Sequence, residues 1–335
     1  MAHRFSIILP LRNGGAYLKE CVHSVLSQTY TGFNFIILEN GSTDGSLEWL
    51  QSLKDDRIKI ITADHSLSIQ ANWGRIVGIE KNEFMTLIGH DDMLYPNYLQ
   101  TIDELINKFP DASLYQTHFH IIDAAGTISR TCKPMPEIET AADFLQTICS
   151  NAIDIMGTGF MMRSKDYDAV GGIPPYPNLL FADYVLWLEL TWINNKKVTS
   201  KEICFAYRMH QSVAGSSNDL VYIDTFKLFI NYLSKLRSED TSLAEIIDSK
   251  GLQVVDNFCK GIAHRMLRVP LVERQGRKVA GLIEICRQCA NTLIPAVQYK
   301  PSFTVRIAEL IDSNIFSRKL FLQFKRVYNK PFLRG

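Results

Sequence analysis

No stretch of these 335 residues stays apolar for the roughly 18–20 positions that a membrane span needs, so no membrane-spanning helix is expected. The amino terminus MAHRFSIILPLRN runs its short apolar segment straight into a polar turn without a small-residue cleavage site, so no secretory leader is expected. A disulfide framework is not expected either, because the seven cysteines are odd in number and spread from 21 to 289 in a long chain. Cys286 and Cys289 alone have CxxC spacing; with no second pair or nearby histidine they read as two cysteines on the buried face of a helix. Internal repeats and low-complexity tracts are missing, and 46% hydrophobic with 21% charged residues describes a globular chain with ample core.

Charge is scarce only in the total, which is +1. Up to Asp219 there are 17 basic and 25 acidic residues, a net −8; after it there are 19 and 10, a net +9. Such a split predicts two regions with different partners, at 1–218 and 219–335.

The first region alternates strand and helix patterns. FSIILPL (5–11) and FNFIIL (33–38) are continuous apolar runs, as strands buried on both faces are, and helical spacing of apolar residues between them makes a β-α-β unit. Further strands are expected at 57–62, 83–88, 157–163 and 201–207, with an edge-like segment at 112–123. This alternation predicts an α/β sheet with ligands at the carboxyl ends of its strands, where Arg12, Asn13, Glu39, Asp44, Asp91 and Asp92 fall. A dehydrogenase-type Rossmann domain is disfavoured, since Arg-Asn-Gly-Gly and no GxGxxG follows the first strand.

Three places could carry chemistry. Asp91-Asp92 ends a strand, and adjacent acids there form either a solvated turn or a hard-oxygen site for Mg²⁺ or Mn²⁺. Asp183 follows a proline-rich loop and opens the apolar helix FADYVLWLELTWI. It is either an ordinary helix-start carboxylate or a general base desolvated by Phe181, Tyr184 and Trp187. His210, just past the strand ending Tyr207-Arg208, is a satisfied polar residue or a metal ligand.

Taken in order, SIILPLRNGGAYLKECVHSVLSQTY, FNFIILENGSTDGS, IGHDDMLYP, GTGFMMRSKDYDAVGGI, FADYVLWLEL and YRMHQS resemble the blocks of the family 2 glycosyltransferases over roughly residues 5 to 218. The resemblance implies a GT-A nucleotide-sugar-binding fold, a Rossmann-like mixed sheet flanked by helices. It also implies an inverting transfer from a nucleotide-sugar, with a UDP-sugar favoured. On its terms Asp183 is the base, Asp91 and His210 hold a divalent metal, and Pro10, Arg12, Glu39, Asp44, Arg75 and Asp92 bind or orient the donor nucleotide. The sequence departs from the family at Gly89, where its D-x-D begins, at Asn40, which replaces a second acid after Glu39, and at Ala182, which replaces a Glu before the base. The thinned D-x-D keeps a non-catalytic nucleotide-sugar-binding module open as the alternative.

After Asp219 the pattern is helical. The last 21 residues hold six Lys or Arg (Arg318, Lys319, Lys325, Arg326, Lys330, Arg334) and no acid, and Phe316, Leu320, Phe324 and Val327 recur at helical spacing, widened by Phe321 and Leu322. Such a helix suits an anionic membrane surface, packing on the enzyme itself or contact with a second copy. Nucleic acid is not expected, because no binding module accompanies the charge. The family context implies a cytoplasmic enzyme, peripheral at the inner face of a bacterial inner membrane. It would add a sugar to a glycan or lipid-linked acceptor in lipopolysaccharide O-antigen or capsule synthesis.

Overall fold

The computed structural model describes residues 3–209, 218–269, 271–295 and 297–327. These fall into two compact units, one built from residues 3–144 and 153–209, the other from 145–152 and the described part of 218–327.

The first unit is one mixed sheet of ten strands. In chain order they are β1 (Phe5–Leu11), β2 (Phe33–Glu39), β3 (Ile58–Thr62), β4 (Phe84–Leu87), β5 (Met93–Leu94), β6 (Leu114–Ile122), β7 (Ile128–Thr131), β8 (Ile138–Glu139), β9 (Phe160–Arg163) and β10 (Lys197–Arg208). The main path runs β3-β2-β1-β4-β9-β6-β10-β5, with β7 beside β6 and β8 beside β10. β1 to β4 are parallel, β9 is antiparallel to both neighbours, and β10 is parallel to β6. The carboxyl ends of β1, β2, β4 and β10 therefore share one edge, and the candidate residues gather there.

Pro10 sits inside β1, where a missing donor should break a ladder. It does not, because Arg4 and Ile8 turn their carbonyls toward β4, and Pro10 shares their parity. The β1–β4 pairing ends at Ile8 with Leu87, so the absent N–H faces no strand.

The segment expected at an edge, 112–123, is corrected: β6 lies between β9 and β10 in the interior of the sheet. Its polar residues misled because they are satisfied inside the fold. His118 Nδ1 bonds the Ser200 carbonyl at 2.8 Å, and the Tyr95 hydroxyl meets His120 Nδ1 at 2.8 Å. The GTGFMMR segment is also shorter as a strand than expected, since residues 157–159 form a loop before β9.

Among the described residues up to 209 the α-helices are α1 (Tyr17–Leu26), α2 (Ser46–Ser52), α3 (Ile69–Gly74), α4 (Tyr98–Lys108), α5 (Ala141–Cys149), α6 (Ser164–Ala169) and α7 (Ala182–Asn194), with residues 145–149 of α5 counted in the second unit. α1 shows how they pack: Leu18, Cys21, Val22 and Val25 recur on one turn-spaced face and are all buried.

The second unit is helical, with α8 (Asp219–Glu239), α9 (Thr241–Arg268), α10 (Val279–Leu293), α11 (Phe303–Ser313) and α12 (Ile315–Val327). Asn218 and Asp240 cap α8 and α9 by accepting backbone N–H groups. Phe226 stacks on Phe258 with centroids 3.7 Å apart. Asp312 accepts from Arg274 at 2.8 Å and from the Val279 N–H at 2.8 Å, with Arg318 3.8 Å away. Arg318 is thus a buried partner of Asp312 and not one of the surface cations of the terminal helix. All seven cysteines are free and buried, Cys286 and Cys289 among them. Among the described residues no helix is long and apolar enough to cross a membrane.

Candidate active site

Two loops at the ends of β1 and β2 are tied together by side chains binding backbone. Asn13 Oδ1 accepts from Thr43 N at 2.8 Å, and Ser42 Oγ accepts from Asn13 N at 2.9 Å. Asp44 accepts from Gly15 N at 2.9 Å and from Ser46 N at 3.1 Å. Burial opposes its ionisation, but the bonds from Ser46 and Gly15 outweigh that and hold its pKa below the usual value. Arg12 projects from this frame, exposed, while Pro10 is buried beneath it.

Glu39 is buried and turns its carboxylate into its own loop, accepting from Ser42 N at 2.5 Å and Gly41 N at 3.1 Å. Arg75 also reaches protein: its guanidinium donates to the carbonyls of Glu39 at 2.9 Å and Ile61 at 2.8 Å, and to Asn72 Oδ1 at 2.9 Å. It braces the ends of β2 and β3. Asn40 shows why an amide replaces the second acid. Its Oδ1 accepts from Leu67 N at 2.7 Å and its Nδ2 donates to Leu67 O at 3.0 Å, and a carboxylate cannot make the second bond.

At the end of β4, Asp91 is half-buried and Asp92 buried. Asp92 Oδ2 accepts from the Thr158 hydroxyl at 2.6 Å and Oδ1 from Arg208 N at 3.1 Å. Burial first, and the neighbouring Asp91 charge second, push its pKa up to about 8 against the pull of Thr158 and Arg208. Gly89 explains its own departure from the family pattern. A Cβ there would stand 2.6 Å from Asp91 Oδ1 and 3.1 Å from Asp92 Oδ2, so the two acids fill the space of a first-position side chain.

Asp183 lies in the first turn of α7, half-buried. Desolvation raises its pKa to about 6, opposed by the Tyr184 N–H that it accepts at 3.0 Å. Gly157 faces it, with a Cβ position 4.0 Å from Oδ2, so loop 157–159 leaves the carboxylate room. Trp187 fastens α7 to that loop by donating to the Met156 carbonyl at 2.9 Å and stacking on Phe160 at 4.4 Å. Just before the helix, Asn178, Leu179 and Phe181 all have left-handed backbone, φ 52°, 57° and 59°, a strained run for bulky side chains.

Tyr207, at the end of β10, connects these acids. Burial raises its hydroxyl pKa to about 12, and Asp92, Asp91 and Asp183 each add to the rise, so all three lie within electrostatic reach of one ring. Neither Tyr207 nor Arg208 stood out as a site residue in the sequence. Arg208 is buried; it donates through Nε to the Asp91 carbonyl at 2.8 Å and through Nη2 to Glu20 at 2.6 Å, and lies 4.5 Å over the Tyr17 ring. An arginine closing an apolar strand was the signal available for it. His210 lies outside the described residues.

A divalent cation is tested by the same residues. Among the described residues no three His, Cys, Asp or Glu side chains gather to hold one. What fits is donor type: Asp91 offers hard oxygen beside the buried Asp92, whose pKa is raised by burial first and by the Asp91 charge second.

With this geometry stand the similarities to known proteins. Residues 6–171 match Glycosyl transferase family 2. Over these residues the chain is a family 2 glycosyltransferase, and its fold is the GT-A fold. It is 30% identical over 195 residues to an uncharacterised glycosyltransferase of Rickettsia conorii, a match covering 55% of this chain and 31% of that one. The match spans 31% of that relative's length and 36% of the length of the glycosyltransferase GlyG of Streptococcus pneumoniae, to which the chain is 27% identical over 110 residues. Among solved structures, residues 1–349 of TarS from S. aureus in complex with UDP-GlcNAc superpose with TM-score 0.56 at 14% identity, covering 87% of this chain and 90% of that one. The mannosyltransferase PcManGT from Pyrobaculum calidifontis in complex with GDP-Man and Mn²⁺ gives TM-score 0.51 at 11% identity, covering 98% and 88%.

Proposed function

We propose that the protein is an inverting glycosyltransferase that moves one sugar from a nucleotide-sugar to a hydroxyl of a glycan or glycolipid acceptor in bacterial surface polysaccharide synthesis. The observation that carries this reading is Asp183, a half-buried carboxylate at a helix start whose pKa of about 6 suits a base working near neutrality. A non-catalytic binding module would have no use for a carboxylate kept desolvated beside an open loop.

In this reading Asp183 takes the acceptor hydroxyl proton as the hydroxyl oxygen attacks the anomeric carbon, and the nucleoside diphosphate leaves from the opposite side. The loops at β1 and β2 receive the nucleotide, with Arg12 exposed beside it and Glu39, Asp44 and Arg75 holding the frame. Pro10 lies under that frame, and Asp92 holds loop 157–159 and β10 in place. A Mn²⁺ or Mg²⁺ ion, when bound, would neutralise diphosphate charge; Asp91 would hold it, joined by His210. A UDP-sugar is the favoured donor, as TarS of the same fold binds UDP-GlcNAc, and the Mn²⁺ in PcManGT supports the cation.

Residues 1–218 would be the catalytic domain, and 219–335 a basic accessory region holding a cytoplasmic enzyme to the inner face of the inner membrane. Supporting this, Phe316, Leu320 and Phe324 are 75%, 68% and 55% exposed and are not packed into a core. Asp183→Asn should reduce transfer by about 10²–10⁴-fold while a UDP-sugar still raises the melting temperature. Near-wild-type transfer by that variant would overturn the assignment of the base.

A further inference from the structure

The terminal helix is not alone in showing apolar residues to solvent. On α11, Phe303, Ile307 and Leu310 recur four and three residues apart and are exposed, Phe303 to 77% and Leu310 to 70%, while Val305, Ala308 and Asp312 fill the opposite, buried side. On α12, Phe316, Leu320 and Phe324 form a matching stripe beside exposed Lys319. Arg318 is buried behind it, and Phe321 and Leu322, half-buried, do not widen the exposed face. Two consecutive helices thus each carry an exposed apolar stripe at helical spacing, a pattern that singly scattered residues do not make.

A cleft of about 160 Å³ opens next to this surface, between the end of α9, α11 and α12. Leu267, Ile307 and Phe321 line it with apolar groups, and His264, Arg268 and Lys325 add basic ones; its lining among the described residues contains no acid. Ile307 belongs to both cleft and stripe. The His264 imidazole is held below its usual pKa first by burial and then by Lys260, Arg268 and Lys325, so four basic side chains share this corner.

We propose that the α11–α12 face docks on an anionic phospholipid bilayer, with Phe303, Leu310, Phe316 and Leu320 entering the acyl boundary and a lipid phosphate seated between His264, Arg268 and Lys325. Apolar side chains alone would suit a second copy of the chain equally. A basic cleft without a lining carboxylate, continuous with the apolar stripe, selects a surface that is oily and negative together. The proposal rests on the membrane-facing reading of the carboxyl-terminal region and is independent of the transfer chemistry.

Sedimentation of the full chain with phosphatidylcholine vesicles, with and without phosphatidylglycerol, tests it. Wild type should sediment with the anionic vesicles and much less with the neutral ones. Phe303→Ser combined with Phe316→Ser should lower the partition coefficient at least about tenfold. Lys325→Glu should lower it by about tenfold on anionic vesicles and leave the neutral ones unaffected. Both changes sit on half-exposed or exposed side chains, and light scattering reads the oligomeric state of each variant. Wild type that sediments with neither vesicle sinks the membrane reading and this proposal together. Wild type that sediments while both variants do so equally well sinks only the proposed face. A serine variant that turns a dimer into a monomer without altering vesicle partition assigns the face to a second copy and overturns the proposal.

Discussion

The backbone N–H of Arg208 donates to Oδ1 of Asp92 at 3.1 Å, and the Arg208 side chain goes on to the Asp91 carbonyl at 2.8 Å. One residue at the end of β10 therefore positions both acids at the end of β4. Lysine would keep the charge there but lose the fork that also reaches Glu20. Arg208→Lys should lower the unfolding free energy by about 1–3 kcal/mol and transfer by about tenfold or more. Urea denaturation and steady-state rates check this, and wild-type values in both would remove Arg208 from the site.

Thr158 is the second support of Asp92, through a 2.6 Å hydroxyl bond to a buried oxygen. Thr158→Val keeps the shape and leaves that oxygen without its donor, at a cost of about 1–3 kcal/mol. Thr158→Ser should restore most of the stability. A valine variant as stable as the serine one would show that the bond contributes nothing.

The pH dependence of Asp183 has a definite sign. Its folded-state pKa, about 6, is above the unfolded value, so its stability contribution is full below about pH 3.8 and is lost as pH rises through about 6. Asp183→Asn removes that loss. The variant should be more stable than wild type at about pH 7.5, by up to about 3 kcal/mol, with the difference closing toward about pH 4. In wild type, kcat/KM should rise with pH to a plateau above about pH 6. Parallel chemical denaturation at the two pH values and a pH–rate profile measure both.

Restoring the family acid at position 40 should harm the protein. Asn40→Asp keeps the bond from Leu67 N but turns the Leu67 carbonyl from an acceptor with a donor into a neighbour of negative charge. A loss of about 1–3 kcal/mol without gain in transfer is expected, read by thermal denaturation and donor turnover.

Much of this arrangement was legible in the sequence. FSIILPL and FNFIIL are buried strands because nothing polar interrupts them, and the motif resemblance brought Asp91, Asp92 and Asp183 into one list. The misses share a cause. β6 read as an edge because His118 and His120 look solvent-seeking until Ser200 and Tyr95 supply their partners from distant positions. Arg318 counted as surface charge because Asp312, its partner, lies on another helix. Arg208 binds Asp91 and Asp92 from 116 and more positions away, a relation that no spacing rule encodes. Local pattern gives the elements; partners that convert a polar residue into an interior one are set by topology.

The left-handed run Asn178, Leu179 and Phe181 has a thermal consequence. Each strained residue stores about 1–3 kcal/mol, and the segment adjoins the first turn of α7, where Asp183 sits. Relaxation of that short loop needs far less heat than melting the ten-stranded sheet, and it would rotate the carboxylate away from its place. Catalytic competence should therefore disappear on warming several degrees before far-ultraviolet dichroism records any loss of structure.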